Sequence, residues 1–350
     1  MRSRGWILRF SWANLVLLTL AVAQLGTGFA GLINGSEGSS WMLWLHGAGA
    51  YGIVFLLAWK GRIVLESISR PWRWRAGLMN SLVLITLLLA TLATGLIWVF
   101  AGRILIYGYS LITIHIVLAF GVLALLPWHV FGKRWVFRNR NAMSRRTFLR
   151  AGGIALGGVA LYLLAGRVMD IFALPGAKRR FTGSYETDSY SFDFPIVIWL
   201  FDYPAPIDVR QWRLTIDAAV DTPLVLTYDQ LAQMAKDAMV GLIDCTGGWY
   251  AYQEWEGVGM GALLDMAGMK ASARSISFEA VSGYGRRFEV EESRGFLLAL
   301  RVAGTQLNHP HGYPVRLVAP PHRGFEWVKW LTHIRVNETS RLLQPPVPLQ

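Results

Sequence analysis

Cysteine is the residue this chain has least of, because Cys245 is the only one among 350 residues. A single thiol excludes an internal disulfide, so Cys245 is either an inert buried side chain or a reactive or metal-binding group. Charged residues are also scarce, at 16%, whereas ordinary soluble domains contain roughly 25%. With 53% hydrophobic residues and a mean hydropathy of +0.36, the composition excludes an ordinary soluble domain over the whole length.

The charges that are present give a net charge of +12. Such an excess can indicate a nucleic-acid partner, but here the basic residues cluster in short loops beside apolar runs. That placement is typical of membrane topology. We therefore expect a lipid bilayer as a partner and no nucleic acid.

Four apolar runs have about the ~20 residues needed to span a bilayer. They cover residues 12–33, 42–59, 78–101 and 110–131. Arginines precede the first run, and basic loops follow the second and fourth, at 60–75 and 133–140. The positive-inside rule then places the N-terminus and both loops in the cytoplasm. We predict an all-α four-helix transmembrane bundle over residues 1–140, with a signal peptide as the alternative interpretation of the first run.

A fifth apolar run, from Ala151 to Leu174, follows the sequence SRRTFLR at residues 144–150. Together they resemble a twin-arginine export signal. The alternative is that the Arg pair is only the basic flank that membrane helices commonly have on their cytoplasmic side. We assign residues 141–175 to this motif and its helix, and residues 176–194 to a linker. Such a signal exports folded domains, which suits a periplasmic domain that receives its cofactor in the cytoplasm.

Histidines inside membrane spans are candidates for functional groups. His46 and His115 lie at similar depths near the outer ends of the second and fourth spans, whereas His129 lies near the cytoplasmic end. We expect His46 and His115 to bind the iron of one haem from opposite sides. Two satisfied polar side chains or a proton path are the alternatives.

The four-span region with these two histidines, over residues 10–132, resembles small four-helix b-type cytochromes that exchange electrons with quinones. The resemblance implies haem b as cofactor and quinone or quinol as partner. We expect four glycines near the histidines to leave room for the macrocycle: Gly47, Gly49, Gly52 and Gly121.

After residue 195 the pattern changes to short segments of an α+β domain. Residues 212–216 alternate with period two, which predicts a strand, and residues 227–231 predict a capped helix start. Further strands are predicted at 275–281, 288–290, 315–319 and 330–336.

Three parts of this region carry a second resemblance. They are the opening strand and turn at 212–231, Cys245 followed ten residues later by Trp255-Glu256-Gly257-Val258, and the block 311–331. These parts resemble the sulfite-oxidase-fold family of molybdopterin enzymes, over a domain that we place at residues 195–340.

The resemblance implies a role for each matching residue. Cys245 would ligate molybdenum, and His311 and Arg316 would contact the pterin. Lys329, with the backbone of residues 324–327, would hold its phosphate, and Arg323 and Gly324 also belong to the cofactor site. A thiolate suits a soft-ligated redox metal, and neighbouring positive charge would keep it deprotonated.

Within that family, the spacing that puts Trp249 four residues after Cys245 resembles the bacterial periplasmic methionine-sulfoxide reductase subunit. Residues 246–254 contain no arginine, so we expect Trp249, Tyr250 and Tyr252 to line an apolar pocket for a neutral substrate. We assign Trp249 and Tyr250, with Cys245, to catalysis. Charge for a sulfite pocket could come instead from three arginines elsewhere: Arg286, Arg287 and Arg323.

Together these patterns indicate a multi-domain protein of the inner (cytoplasmic) membrane with an extracytoplasmic molybdopterin domain. Its expected function is electron exchange between the quinone pool, haem b and molybdenum, with reduction of a small S-oxide or N-oxide substrate. The first alternative is a sulfite dehydrogenase, and the second is a non-catalytic electron carrier or assembly protein.

Overall fold

The computed structural model describes residues 11–68, 76–132, 144–196, 198–199 and 202–348. The arginines before the first span and the basic residues 133–140, on which the predicted orientation depends, lie outside the described residues. The chain divides into two compact units, with the boundary between Tyr185 and Glu186 and with Ile33–Ser36 assigned to the second unit.

The first unit contains five long helices and one small hairpin. The helices are α1 (Ser11–Ile33), α2 (Ser40–Ile68), α3 (Ala76–Ala101), α4 (Leu111–Gly132) and α5 (Arg145–Ile171). Strands β1 (Leu105–Ile106) and β2 (Tyr109–Ser110) form an antiparallel hairpin between α3 and α4. All five helices are long and apolar enough to cross a membrane, which agrees with the predicted number of apolar helices.

Helix α5 begins earlier than the predicted run 151–174 and also ends earlier. Ser144 is its N-cap, since its hydroxyl accepts a hydrogen bond from the Thr147 N–H at 3.3 Å. Such a cap satisfies one of the donors that a helix start leaves unpaired. The helix therefore begins at Arg145, which places the arginine pair in its first turn, and it ends at Ile171.

Helices α2 and α5 approach each other closely at a glycine. A Cβ atom added to Gly158 would lie 2.7 Å from the Ala48 carbonyl oxygen and 2.8 Å from the Gly52 nitrogen. Small residues allow such close packing between helices in membranes. Gly158 is therefore a packing position, whereas Gly157, its neighbour, faces open space.

The second unit is built on two sheets. Its strands are β3 (Tyr185–Glu186), β4 (Leu214–Ala218), β5 (Leu224–Leu226), β6 (Asp237–Cys245), β7 (Trp249–Gly259), β8 (Ser275–Ala280), β9 (Gly285–Glu289), β10 (Leu297–Val302), β11 (Thr305–Gln306), β12 (Arg316–Val318) and β13 (Leu331–Asn337). One sheet has the order β11–β10–β7–β3, with β12 beside β10 and β6 beside β7. The other has the order β5–β4–β13–β8–β9, in which β4 and β13 are parallel.

Three short helices complete this unit: α6 (Tyr228–Met234), α7 (Met260–Ala267) and α8 (Val290–Arg294). The predicted start of α6 is confirmed, because Thr227 and Gln230 form a capping box there. The α+β class of the C-terminal part is also confirmed. Strands β6, β7 and β10 were not predicted, because continuous apolar or aromatic stretches lack a clear period of two.

Part of the predicted linker 176–194 packs within the second unit. The Thr187 N–H donates to the Tyr250 carbonyl at 2.9 Å, and the Tyr190 N–H donates to the Tyr252 carbonyl at 2.7 Å. This segment therefore runs along β7.

The close contact at Gly158 predicts different results for two neighbouring substitutions. Gly158→Ala should lower the thermal unfolding midpoint of the detergent-purified protein, because α2 and α5 must move apart. Gly157→Ala should leave it unchanged or raise it, since alanine stabilises a helix by about 1 kcal/mol relative to glycine. Far-UV circular dichroism on heating measures both, and equal shifts would contradict the packing role.

Candidate functional site

The lone cysteine lies at the tip of a β-hairpin. Cys245 ends β6 and pairs with Trp249, the first residue of β7. The Gly247 N–H donates to Cys245 Sγ at 3.3 Å, and the Gly248 N–H donates to the Cys245 carbonyl at 3.0 Å. Gly248 has a φ of +86°, a conformation that glycine adopts without strain. The tight turn therefore fixes the thiol, which is 6% exposed.

A buried ion pair holds the backbone beneath Cys245. Arg323 Nη1 lies 2.7 Å from Asp244 Oδ1, and Arg323 Nη2 donates to the Cys245 carbonyl at 3.3 Å. Removing one partner of such a pair leaves an uncompensated buried charge. Arg323 thus secures the strand that carries the thiol.

The thiol opens into a small cleft. Its lining residues come from the hairpin, from a segment preceding β4 and from the region between β11 and β13: Phe194, Pro195, Ile196, Ile243, Cys245, Trp249, His311, Arg316, Gly324 and Lys329. Six of these ten are residues assigned from the sequence to catalysis or cofactor binding. Distant parts of the sequence therefore meet at one site.

Two cations line this cleft, a buried Arg316 and a half-buried Lys329. The Arg316 side chain lies over the Trp255 ring at 4.9 Å, and its Nη1 donates to the His311 carbonyl at 3.1 Å. Burial lowers the pKa of Arg316 to about 9. Burial, and then repulsion by Arg316, lower the pKa of Lys329 to about 7. An anion bound between the two would restore their charged forms.

Three nitrogen atoms of the cleft are buried and, within the described part of the chain, have no hydrogen-bond partner. They are Trp249 Nε1, His311 Nδ1 and Arg316 Nε. His311 Nε2 lies 3.2 Å from the Phe194 carbonyl oxygen, so Nε2 carries the proton and Nδ1 is an acceptor. Buried polar groups are normally paired. Two donors and one acceptor without partners fit a ligand that has both kinds of group, as a pterin with a phosphate does.

The protonation state of Cys245 differs from the expectation that neighbouring charge keeps it deprotonated. Burial raises the pKa of the thiol, and this outweighs the lowering by the Gly247 N–H, Arg323 and Lys329. A bound metal ion displaces the proton of a coordinating thiol. The thiolate would therefore form on metal binding.

The aromatic residues after Cys245 do not share one pocket, which corrects the sequence expectation. Successive residues of a strand face opposite sides, and Trp249 is buried in the cleft while Tyr252 is 39% exposed. Tyr250 is half-buried, contacts Tyr252 at 6.1 Å between ring centroids, and is not among the cleft-lining residues. Only Trp249 of the three faces the thiol.

The prediction that the backbone of residues 324–327 holds a phosphate is also corrected in part. The Glu326 N–H donates to the Arg323 carbonyl at 2.8 Å, and the Trp327 N–H donates to the Gly324 carbonyl at 3.2 Å. These two amides are therefore used within a 3-10 turn. Lys329 does line the cleft, and its Nζ donates to the Pro310 carbonyl at 2.9 Å.

Arg286 and Arg287, considered as sources of charge for a sulfite pocket, lie elsewhere. Arg286 pairs with Glu326 at 3.0 Å, and the Arg287 Nε donates to the Ser277 hydroxyl at 3.1 Å. Neither lines the cleft.

Sequence reasoning missed the apolar wall of the cleft. Phe194 is 2% exposed, and its ring centroid lies 4.3 Å from that of His311. Phe194, Pro195 and Ile196 line the cleft together with Trp249, whose ring centroid lies 6.1 Å from that of Phe194. Phe194 was missed because it is the last residue of the predicted linker and its contact with His311 is far away in the sequence.

The two histidines assigned to the haem lie next to each other in the first unit. The ring centroids of His46 and His115 lie 6.1 Å apart, with an interplanar angle of 85°. His46 Nδ1 lies 3.1 Å from the Gln24 carbonyl oxygen, and His115 Nδ1 lies 2.8 Å from the Thr91 carbonyl oxygen. A carbonyl only accepts, so Nδ1 carries the proton on both rings and Nε2 has the lone pair.

The glycines beside this pair are not those predicted. Cβ atoms added to Gly28 on α1 and Gly95 on α3 would lie 2.9 Å from His46 Cε1 and 3.1 Å from His115 Cε1. The four predicted glycines face other side chains: Gly47 faces Tyr162, Gly49 faces Gln24, Gly52 faces Ile154 and Leu20, and Gly121 faces Leu87.

Both histidines thus share one local arrangement. Each neighbouring helix provides a carbonyl at one residue and a glycine four residues later, Gln24 and Gly28 for His46, and Thr91 and Gly95 for His115. One edge of each ring, with Cε1 and Nδ1, lies against a glycine, and the carbonyl of the preceding turn orients the ring.

His129, which was not assigned to the haem, lies near the other end of α4 from His115. Its Nδ1 lies 3.4 Å from the Ser81 hydroxyl of α3.

Comparison with known proteins bears on the second unit. Residues 201–342 match the family described as oxidoreductase molybdopterin binding domain. The chain is 28% identical over 150 residues to the uncharacterized oxidoreductase YuiH of Bacillus subtilis, which covers 42% of this chain and 75% of that protein. It is 28% identical over 155 residues to the NADPH nitrate reductase of Beauveria bassiana, covering 36% of this chain and 17% of that enzyme.

Among solved structures, the chain is similar to the sulfane dehydrogenase SoxCD of Paracoccus pantotrophus. The identity is 28%, the TM-score is 0.37, and the match covers 39% of this chain and 40% of that one. The matches to the reductase and to SoxCD therefore involve less than half of each relative.

A charged network supports the loop that carries Arg323. His322 lies between two carboxylates, with Nδ1 3.0 Å from Glu326 and Nε2 3.2 Å from Glu292. Arg341 pairs with Glu292 at 2.8 Å, and Arg286 pairs with Glu326 at 3.0 Å. Despite burial, these carboxylates raise the pKa of His322.

The raised pKa predicts the pH range in which His322 stabilises the domain. Its contribution is fully present below the ordinary histidine pKa of about 6.5 and is lost as pH rises through the raised value. His322→Gln should therefore lower the thermal midpoint most at acidic pH, and the difference from wild type should shrink towards alkaline pH. His309→Gln, at a ring that contacts the Pro204 carbonyl, is the control. A pH-independent difference for His322→Gln would contradict the ion-pair role.

Proposed function

Because residues 201–342 are an oxidoreductase molybdopterin-binding domain, we propose that this chain is a membrane-bound molybdenum oxidoreductase. In this proposal Cys245 ligates molybdenum, and one haem b held by His46 and His115 exchanges electrons with the quinone pool. The observation that carries it is the cleft, where the single thiol of the chain meets two cations, Arg316 and Lys329, and three buried nitrogen atoms that have no hydrogen-bond partner among the described residues.

The molybdenum cofactor, when bound, supplies two-electron oxygen-atom transfer. The chain's residues would hold it and shape its surroundings. Cys245 Sγ provides a soft ligand, and the Gly247 N–H fixes the orientation of that sulfur. Arg316 and Lys329 would bind the anionic part of the cofactor. His311 Nδ1 would accept a hydrogen bond from the pterin.

The apolar wall has a separate role. Phe194 and Trp249 exclude water from the side of the cleft where the thiol is exposed. A water-poor site strengthens the interactions between its fixed charges and a ligand.

The histidine pair fits a haem iron. Both rings keep the Nε2 lone pair, and with ring centroids 6.1 Å apart His46 and His115 would hold one haem iron. Carbonyls that accept from Nδ1 are the partners that commonly orient metal-binding histidines. Haem b would then pass electrons one at a time.

The location in the inner membrane rests on the five apolar helices and on the basic loops of the sequence. The twin-arginine pair at Arg145 and Arg146 supports export of the second unit to the periplasm. Export of a folded domain is consistent with cofactor insertion before transport.

For the substrate, we propose an S-oxide or N-oxide that is reduced. With an S-oxide, two electrons and two protons convert the substrate to a sulfide and water. The apolar side of the cleft, formed by Phe194, Ile196 and Trp249, suits a neutral substrate. Oxidation of sulfite with water to sulfate, which releases two electrons and two protons, is the second candidate.

A substrate screen on the purified full-length protein tests this proposal and its direction. Pre-reduced haem should be reoxidised by a sulfoxide or an N-oxide, and the haem should not be reduced by sulfite. Cys245→Ser should lose the response while the haem spectrum stays intact, and Tyr252→Phe is the control. Haem reduction by sulfite would support the second candidate. No response to any of these substrates would contradict both.

Substitution of the histidines tests the haem assignment. His46→Ala and His115→Ala should each remove the low-spin haem absorbance, because either change deletes one axial ligand. His129→Ala should retain it. Molybdenum content, measured in the same samples, should be unchanged, which separates loss of a ligand from general misfolding. Retention of the spectrum in either ligand variant would contradict the pairing.

A further inference from the structure

The loop between α1 and α2 belongs to the second unit. Its residues Ile33–Ser36 are grouped with the chain from Glu186 onwards, whereas the residues before and after this loop are grouped with the first unit. Contacts of the loop with the molybdopterin-binding domain are therefore contacts within one compact unit. The loop lies far outside residues 201–342, which match the family, so the match implies no role for it.

Gly35 is the one buried residue among these four, and it lies against a second loop. A Cβ atom added to Gly35 would lie 2.7 Å from the Pro321 carbonyl oxygen, 3.2 Å from Arg323 Cδ and 3.3 Å from the Arg323 nitrogen. Contacts between non-bonded carbon atoms are most favourable at about 3.5–4.0 Å. The two loops therefore meet this closely because position 35 has no side chain.

The second loop is also bound to the strand that ends at Cys245. Arg323 forms the buried ion pair with Asp244 and donates to the Cys245 carbonyl, and Asp244 and Arg323 form a parallel β-bridge. A Cβ atom on Gly324 would lie 3.4 Å from Cys245 Cα. Arg323 thus contacts both Gly35 and the end of β6.

A methyl group at position 35 would disturb this chain of contacts. Protein interiors are close-packed and transmit strain, and the nearest atom, the Pro321 oxygen, belongs to the backbone and not to a mobile side-chain end. One loop must therefore move relative to the other. Arg323 either shifts with its loop or loses the residue that packs against its side chain, and both outcomes change the support of Cys245.

We propose that Gly35 is a positioning residue of the molybdenum site, which acts through Arg323 on Cys245. The α1–α2 loop fixes the Arg323 side chain, and Arg323 fixes the strand that carries the sulfur. Groups that support a metal ligand in this way tune the metal. The inference rests on the proposed function and adds to the site a residue from between two apolar helices.

The test compares two glycines of the same connection. Gly35→Ala introduces the close contact, whereas Gly38→Ala adds a methyl group with nothing within 4 Å. Both are measured as full-length protein with its cofactors, well below the unfolding midpoint. Gly35→Ala should slow haem reoxidation by the substrate that wild type uses by about tenfold or more, because a displacement of about 1 Å can cost about a hundredfold. Gly38→Ala should keep the wild-type rate.

A spectroscopic measurement separates positioning from general loss of stability. The electron paramagnetic resonance spectrum of partly reduced molybdenum depends on the orientation of its sulfur ligand. Gly35→Ala should therefore shift the g values while the molybdenum and haem contents stay at the wild-type level, and Gly38→Ala should give the wild-type spectrum. General loss of stability would instead lower both contents and leave the spectrum of the remaining sites unchanged.

Combination with an Arg323 variant tests whether Gly35 acts through Arg323. Arg323→Ala should lower the rate, and Gly35→Ala should then have little further effect, because residues that share a contact are not additive. Full additivity would contradict the proposed route. If Arg323→Ala does not retain molybdenum, the two glycine variants decide alone.

A wild-type rate and spectrum in Gly35→Ala would overturn the inference, and so would equal effects of Gly35→Ala and Gly38→Ala. Neither result would affect the proposed function, which needs only a wild-type protein that contains molybdenum and responds to substrate. If wild-type protein contains no molybdenum, the proposed function fails first, and the inference fails with it.

Discussion

Concentration of positive charge around one buried thiol is the constraint on which the second unit depends. Arg316 and Lys329 lie in the cleft beside Cys245, while Arg323 is neutralised by Asp244 beneath it. Burying cations is unfavourable unless they are paired. Arg316 is buried and Lys329 is half-buried in the cleft, and both have lowered pKa values, so an anion bound there would stabilise both charges. The carbonyls of His311 and Pro310 accept hydrogen bonds from these two side chains.

The fold makes this arrangement possible by bringing distant segments to the tip of one hairpin. The turn after Cys245 is tight because Gly248 adopts a left-handed conformation. The Arg323 side chain then donates a hydrogen bond to the Cys245 carbonyl. The wall with Phe194 closes the cleft from the side. The first unit follows a similar principle, since each histidine ring is set by a backbone carbonyl and by a glycine that leaves room for it.

Much of this was predictable from sequence, where the signal was local or carried by a distinctive motif. The number of apolar helices, the α6 capping box and the association of Cys245 with His311, Arg316 and Lys329 belong to this group. The side chain of Tyr250 was misplaced because the hairpin register, which decides the face of each residue, was not predicted. The wall at Phe194 and the glycines at positions 28 and 95 were missed for a different reason. They act through contacts with residues far away in the chain, and no local pattern identifies such partners.

The central claim is that the single cysteine binds molybdenum, and its uniqueness allows a direct measurement. Because the chain has one cysteine, global replacement of cysteine by selenocysteine places selenium at position 245 alone. X-ray absorption at the selenium edge of the full-length protein should then show molybdenum as a bonded neighbour. A selenium atom bonded only to carbon, in protein that contains molybdenum, would contradict the account.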